Sequence, residues 1–267
     1  MRSFFLWIFT VIAAGMAFGL PASKAVNADQ MLDRIPVIVG GYRFEPYVDE
    51  SGGVARKFIQ LLNDHQSTYA FQFMEMPARR RYDLMREGRI DALLFEMMVW
   101  GWQDMADQVS VTKPLLTGSE LFIALKPING PTEHLFEGIS TKRLALTLGY
   151  HYGFADFNAD PDHLKARFDV VFSEFQRFSL RHVLAGTADL AVVNDAFLER
   201  ENRRDIGLSH QVVASPKPDQ CYQLPVMLRA GGPINLAEMT ALLDALKTSG
   251  ALRGFFEQES MGRFLVW

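Results

Sequence analysis

A single cysteine, Cys221, stands in a chain of 267 residues, so neither an internal disulfide nor a thiolate metal site can form. Its expected place is as a small buried apolar residue. Basic charge is also scarce. There are 27 Lys and Arg against 31 Asp and Glu, with no basic stripe to neutralise a phosphate backbone, which excludes nucleic acid as a partner. The GxSxG, HExxH and phosphate-loop patterns are missing, and the six histidines are scattered, so surface or cap roles are expected of them. Asp156, Asn158 and Asp160 begin a calcium-loop spacing, but Pro161 stands where its glycine belongs and Arg167 where its glutamate belongs. No metal and no cofactor are expected. Residues 36–267 contain no low-complexity segment or long linker.

Long apolar runs are confined to one place. Arg2 is followed by an apolar stretch from Phe4 to Leu20 and then by Ala22, Ser23, Ala25 and Ala28, the pattern of a secretory signal peptide over residues 1–28. Cleavage is expected after Ala25 or Ala28. No cysteine follows the apolar stretch, so a lipid anchor is not expected, and the mature chain should be an exported, periplasmic monomer. Losing Arg2 and Lys24 leaves 25 basic against 31 acidic side chains, a net charge of about −6.

The remaining 239 or so residues are rich enough in apolar side chains, at 49% of the whole sequence, to bury one large core or two modest ones. Short apolar runs alternate with helical patterns, which predicts an α/β fold. Strands are predicted at Ile35–Val39, Phe71–Phe73 and Asp91–Phe95, and helices over Val54–Leu62 and from Pro77 to a stop at Gly88. A faint repeat follows. The stretches 84–96 and 182–195 both read helix, Gly, two residues, Asp, strand, pairing Gly88 with Gly186 and Asp91 with Asp189, while IVGGYRF at 38–44 matches LTLGYHY at 146–152. Asn235 and Glu238 form a capping box ahead of the stripe Leu236, Met239, Leu242, Leu243 and Leu246, which ends at Gly250.

Strand ends name the candidate site residues. Tyr42, Phe44 and Tyr47 follow the first strand, and Glu96, Trp100 and Trp102 follow the third, an aromatic wall suited to a small ligand although such residues also fill cores. In the run Arg79–Arg81, Arg80 is taken as an anion clamp against the alternative of a solvated basic turn, and Arg79 and Arg81 are expected to face solvent. Gly149 and Tyr150 could offer backbone N–H groups. Asn194 and Asp195 close a strand, either as ligand contacts or as a helix cap.

The ordered pieces VGGYRFEPYVDESGG (39–53), PARRRYDLMREGRIDALL (77–94), VTKPLL (111–116), LGYHYG (148–153), LAGTADLAVVND (184–195) and LLDALKTSGALRGFF (242–256) resemble the extracellular solute-binding proteins of family 3, the polar-amino-acid-binding type associated with ABC transporters. The resemblance implies a type II periplasmic binding protein fold, with two α/β lobes joined by two hinge strands and a ligand between them. Lobe 1 is expected over 29–124 and 229–267 and lobe 2 over 125–228, with crossings at Leu121–Leu125 and Leu224–Leu228. It further implies a small polar, anionic or aromatic solute and an inner-membrane permease or a sensor as partner; the alternative is a dehydratase-like periplasmic enzyme on the same scaffold. Two features depart from the family pattern. No Arg occurs between Arg89 and Arg143, where amino-acid binders carry one for the ligand's carboxylate, and Asn194 takes the place of the Asp that receives its ammonium group. Recognition of an ordinary α-amino acid is therefore not implied.

Overall fold

The computed structural model describes residues 33–267, and the expected signal peptide lies outside them. Two sheets carry the chain. The first contains β1 (Ile35–Gly41), β2 (Tyr69–Glu75), β3 (Ala92–Leu94), β4 (Val109–Val111) and β11 (Val226–Arg229), in the order β2-β1-β3-β11-β4. The second contains β5 (Leu116–Leu125), β6 (Arg143–Thr147), β7 (Asp169–Ser173), β8 (Leu190–Asn194) and β10 (Gln220–Leu224), ordered β10-β5-β8-β6-β7, with β9 (Val212–Ala214) also on β5.

The orders match strand for strand. In the first sheet β1 lies parallel to β2 and β3, in the second β6 lies parallel to β7 and β8, and in each the next position is filled by an antiparallel strand, β11 or β5, that arrives through a crossing. The repeated motif has a physical basis. Gly88 and Gly186 take left-handed φ values of 67° and 66°, a conformation open to glycine without steric cost, and so end α2 (Arg81–Arg86) and α4 (Gln176–Leu184). Asp91 and Asp189 then each accept a hydrogen bond from the backbone of the neighbouring strand, from Ile38 N at 2.9 Å and from Arg143 N at 2.8 Å.

β3 and β8 are buried along their whole lengths, which is why DALLF and LAVVN read as continuous apolar runs rather than alternations. On the first sheet α1 (Gly53–Asp64) buries Phe58, Ile59 and Leu62. The capping box at Asn235 and Glu238 starts α7 (Leu236–Thr248), which buries Met239, Leu243 and Leu246 and is followed by α8 (Ala251–Gln258).

The crossings lie elsewhere than Leu121–Leu125. All ten residues of β5 belong to the second sheet, where Leu121–Ile123 pair with Ala191–Val193, so this apolar run is interior strand rather than hinge. The chain passes between the sheets at Thr112–Leu115 and returns at Pro225. These passages run side by side: Leu115 N donates to Leu224 O, Thr112 N to Val226 O and Val226 N to the Thr112 hydroxyl. Cys221 is exposed rather than buried, because the alternation of β10 turns Gln220 and Tyr222 inward and Cys221 out.

Candidate functional site

The carboxyl ends of β1 and β3 face those of β6 and β8, and the loops that follow these strands meet. Tyr150 donates its hydroxyl to Arg43 O at 2.6 Å, Asn194 Nδ2 donates to Glu45 O at 2.6 Å, Trp100 Nε1 donates to Gln220 Oε1 at 2.9 Å, and the Tyr47 and Tyr222 hydroxyls lie 3.0 Å apart. Each contact joins one sheet's layer to the other's. Between them is a cavity of about 10 Å³, room for one water, walled by Tyr42, Phe44, Arg81 and Trp100 on one side and Glu120, Gly149, Tyr150 and His151 on the other. Tyr150 also borders a wider groove of about 540 Å³ that includes Arg43, Met76, Leu148 and Phe175.

Arg81 and Glu96 form the charged floor. Their side chains are 1% and 0% exposed, with Nε and Oε2 3.2 Å apart but without hydrogen-bond alignment. Phe95 has a left-handed φ of 62°, unusual for a bulky residue, immediately before Glu96. Both terminal guanidinium nitrogens donate elsewhere. Nη1 donates to Ala78 O at 2.6 Å, while Nη2 donates to Trp100 O and to His151 Nδ1, both at 3.3 Å. The guanidinium carbon lies 4.7 Å from the Tyr42 ring centre and 4.4 Å from that of Tyr82. Burial raises the Glu96 carboxyl above its ordinary range against the pull of Arg81.

His151 is neutral, since burial, reinforced by Arg81, pushes its imidazole down to about 3. With Nδ1 accepting from Arg81, Nε2 carries the proton and faces the Tyr82 hydroxyl at 3.4 Å. Glu120 is 2% exposed, and its carboxylate accepts from Gln220 Nε2 at 3.1 Å; burial, followed by the charges of Asp219 and Asp195, pushes it up to about 8. Gln220 Nε2 also reaches His151 O at 2.6 Å.

Close backbone approach fixes two glycines here. A Cβ on Gly149 (φ 84°) would meet Ala78 Cβ and Arg79 Cγ at 3.2 Å across the gap, and one on Gly101 (φ 82°) would meet the Tyr82 hydroxyl at 2.7 Å.

No family model matches the chain, and no curated protein resembles it in sequence. Solved structures do. The arginine-binding protein of T. maritima, in a mutant form, superposes with a TM-score of 0.63 at 17% identity over 86% of this chain and 97% of that one. The GluR0 ligand-binding core of Nostoc punctiforme, solved with L-glutamate, gives 0.64 at 11% over 85% and 100%. A histidine kinase sensor domain similar to periplasmic binding proteins gives 0.60 at 18% over 85% and 96%. The chain has the type II periplasmic binding protein fold.

On this two-lobed fold, five residues expected from the sequence reach the cavity wall: Tyr42, Phe44, Trp100, Gly149 and Tyr150. Glu96 sits behind the wall as the partner of Arg81. Tyr47 and Trp102 are fully buried, Tyr47 on Tyr222 and Trp102 with its ring 4.8 Å from that of Tyr82. Asn194 caps α5 (Asp195–Arg204) by accepting from Phe197 N at 2.7 Å. Asp195 accepts from Ser119 N and from the Tyr222 hydroxyl.

Arg80 requires correction. It is exposed, and Arg81, expected in solvent, is the buried cation, because a short turn over Ala78–Arg80 rotates α2 so that Arg81 shares a face with Leu84 and Met85. Among the histidines, His151 departs from the expected surface role. Sequence reasoning also missed Glu120 and Gln220. The spacing of Arg81 to Leu84 and Met85, three and four residues, is a readable signal for the burial of Arg81; nothing local marks Glu120.

Proposed function

We propose that this protein captures a small solute between its two lobes and closes around it, as an exported periplasmic solute-binding protein that serves an ABC-type permease or a sensor. One lobe is built on the first sheet and the other on the second, and the paired passages at Thr112–Leu115 and Pro225 act as the hinge. The observation that carries this reading is a cavity walled almost equally from both sheets and sealed by hydrogen bonds between them. A solute touching both walls favours the closed arrangement by its differential contacts, and closure gives a partner a shape to recognise. Tyr42, Phe44, Trp100, Gly149 and Tyr150 contact the solute, Glu96 acts through Arg81, and Tyr47, Trp102, Asn194 and Asp195 support the walls. Solved proteins of this fold include an arginine-binding protein and a kinase sensor domain, which supports solute capture and leaves both transport and sensing as uses.

The test is a thermal-shift screen of residues 29–267 against amino acids, amines, organic acids and aromatic metabolites, with solution scattering on each hit. A binding solute is expected to raise the melting temperature and contract the molecule without being converted. Absence of any hit, or a hit consumed to product, would overturn the proposal.

A further inference from the structure

The cavity is lined by one ionisable group with an oppositely charged partner and one without. Arg81 has Glu96 as its counter-ion, and Nη1 and Nη2 already donate to Ala78 O, Trp100 O and His151, so its charge is compensated before any ligand arrives. Glu120 lies opposite. Among the described residues no Lys or Arg pairs with it; its side-chain hydrogen bond is to the neutral amide of Gln220, and the charges that act on it most, Asp219 and Asp195, are of its own sign. A carboxylate so buried is costly unless a cation joins it.

The surrounding surface suits a cation. Phe44 stands at 89° to Trp100 and at 80° to Tyr150, with ring centres 5.7 Å apart in both cases, and Tyr42 stands at 81° to Tyr150 at 6.4 Å. In each of these edge-to-face pairs one ring turns its edge to the other's face, and the face of Tyr42 already lies 4.7 Å from the Arg81 guanidinium; Phe44, Trp100 and Tyr150 remain as aromatic lining beside Glu120, and aromatic faces attract ammonium groups. Resting on the solute-binding reading above, we propose that the solute is a small organic cation, an amine or methylated ammonium whose charged head sits between Glu120 and this aromatic lining, and that recognition requires no carboxylate on the ligand. The cavity of about 10 Å³ is too small for such a head as it stands, so the head enters with the lobes apart and holds them wider than they are here, and the groove beyond Tyr150 accommodates the remainder.

Proton release follows from the same arrangement. Burial, with the charges of Asp219 and Asp195, pushes Glu120 up to about 8; the other groups around it are neutral His151, the Arg81–Glu96 pair and the hydroxyls of Tyr42, Tyr47, Tyr150 and Tyr152. An ammonium head stabilises the carboxylate and lowers that value, so binding expels a proton between about pH 6 and 8.

The experiment compares methylammonium, putrescine and choline with butanol and butyrate by calorimetry on the mature chain at pH 6 and pH 8. At least one cation is expected to bind saturably, about tenfold or more tighter than the neutral and anionic probes. Its affinity should rise from pH 6 to pH 8, and its heat should differ between buffers of unlike ionisation enthalpy. Glu120→Gln should fold, lose about tenfold in affinity and lose the buffer dependence; the buffer comparison on the unmodified protein keeps the test valid even if the variant misfolds. If butyrate, or another neutral or anionic solute from the wider screen, binds while no cation does, the cation assignment falls and solute binding stands. If nothing in either set binds, the solute-binding reading falls and takes the assignment with it.

Discussion

At the residue scale, the exchange of roles between Arg80 and Arg81 gives a sharp test. Arg81→Ala would leave Glu96, 0% exposed, as an uncompensated buried charge, for an expected loss of about 3–5 kcal/mol in denaturant unfolding. Arg80→Ala, at an exposed position, should stay within about 0.5 kcal/mol of the parent. Equal effects from the two changes would contradict the buried ion pair. Residue identity alone made the pair hard to read. Three consecutive arginines look like a solvated turn, and only the apolar positions at Leu84 and Met85 indicate which of the three points inward. Glu120 was illegible for a different reason. It follows Thr117, Gly118 and Ser119 in an unremarkable polar stretch, and its burial is imposed by β10 and β8, whose residues are far away in sequence.

At the element scale, caps and turns were legible because their chemistry is local. The capping box at Asn235, the glycine stops at positions 88 and 186, and the buried runs of β3 and β8 all follow from a few neighbouring residues. Crossings are not legible in this way, since an apolar run reads alike whether it bridges two sheets or completes one; Leu121–Leu125 reads as a bridge and is part of β5, an interior strand of the second sheet. Asn194 joins the local and the distant. Its Oδ1 caps α5 and its Nδ2 reaches across the gap to Glu45 O. Asn194→Ala is expected to cost about 1 kcal/mol through the cap. Asn194→Ser, which keeps a capping oxygen without adding charge and is too short to reach Glu45 O, should recover much of the stability lost from the helix yet weaken solute affinity. Matching stability and affinity losses in both variants would argue against separate roles.

At the scale of the whole molecule, ion pairs at the rim hold the lobes together. Arg177 reaches Glu45 at 2.9 Å and also Glu50, and Arg200 lies 3.5 Å from Glu45 and 3.6 Å from Asp49. Glu45 is 3% exposed and needs these partners. Replacing both arginines by alanine should shift the population toward an open form, seen as a larger radius of gyration, with a melting temperature lower by about 5 °C. An unchanged scattering profile would mean that the rim is incidental to closure.

The matched strand orders also fix a sequence of assembly. Every strand of the second sheet lies within residues 116–224, whereas the first sheet waits for Val226–Arg229 to slot between β3 and β4. As a nascent chain emerges from its N-terminus, the half begun first therefore stands with β3 unpaired along one side, an adhesive margin of the kind other chains can pair with. The half begun second is finished first, and the last strand to arrive seals the one that has waited longest.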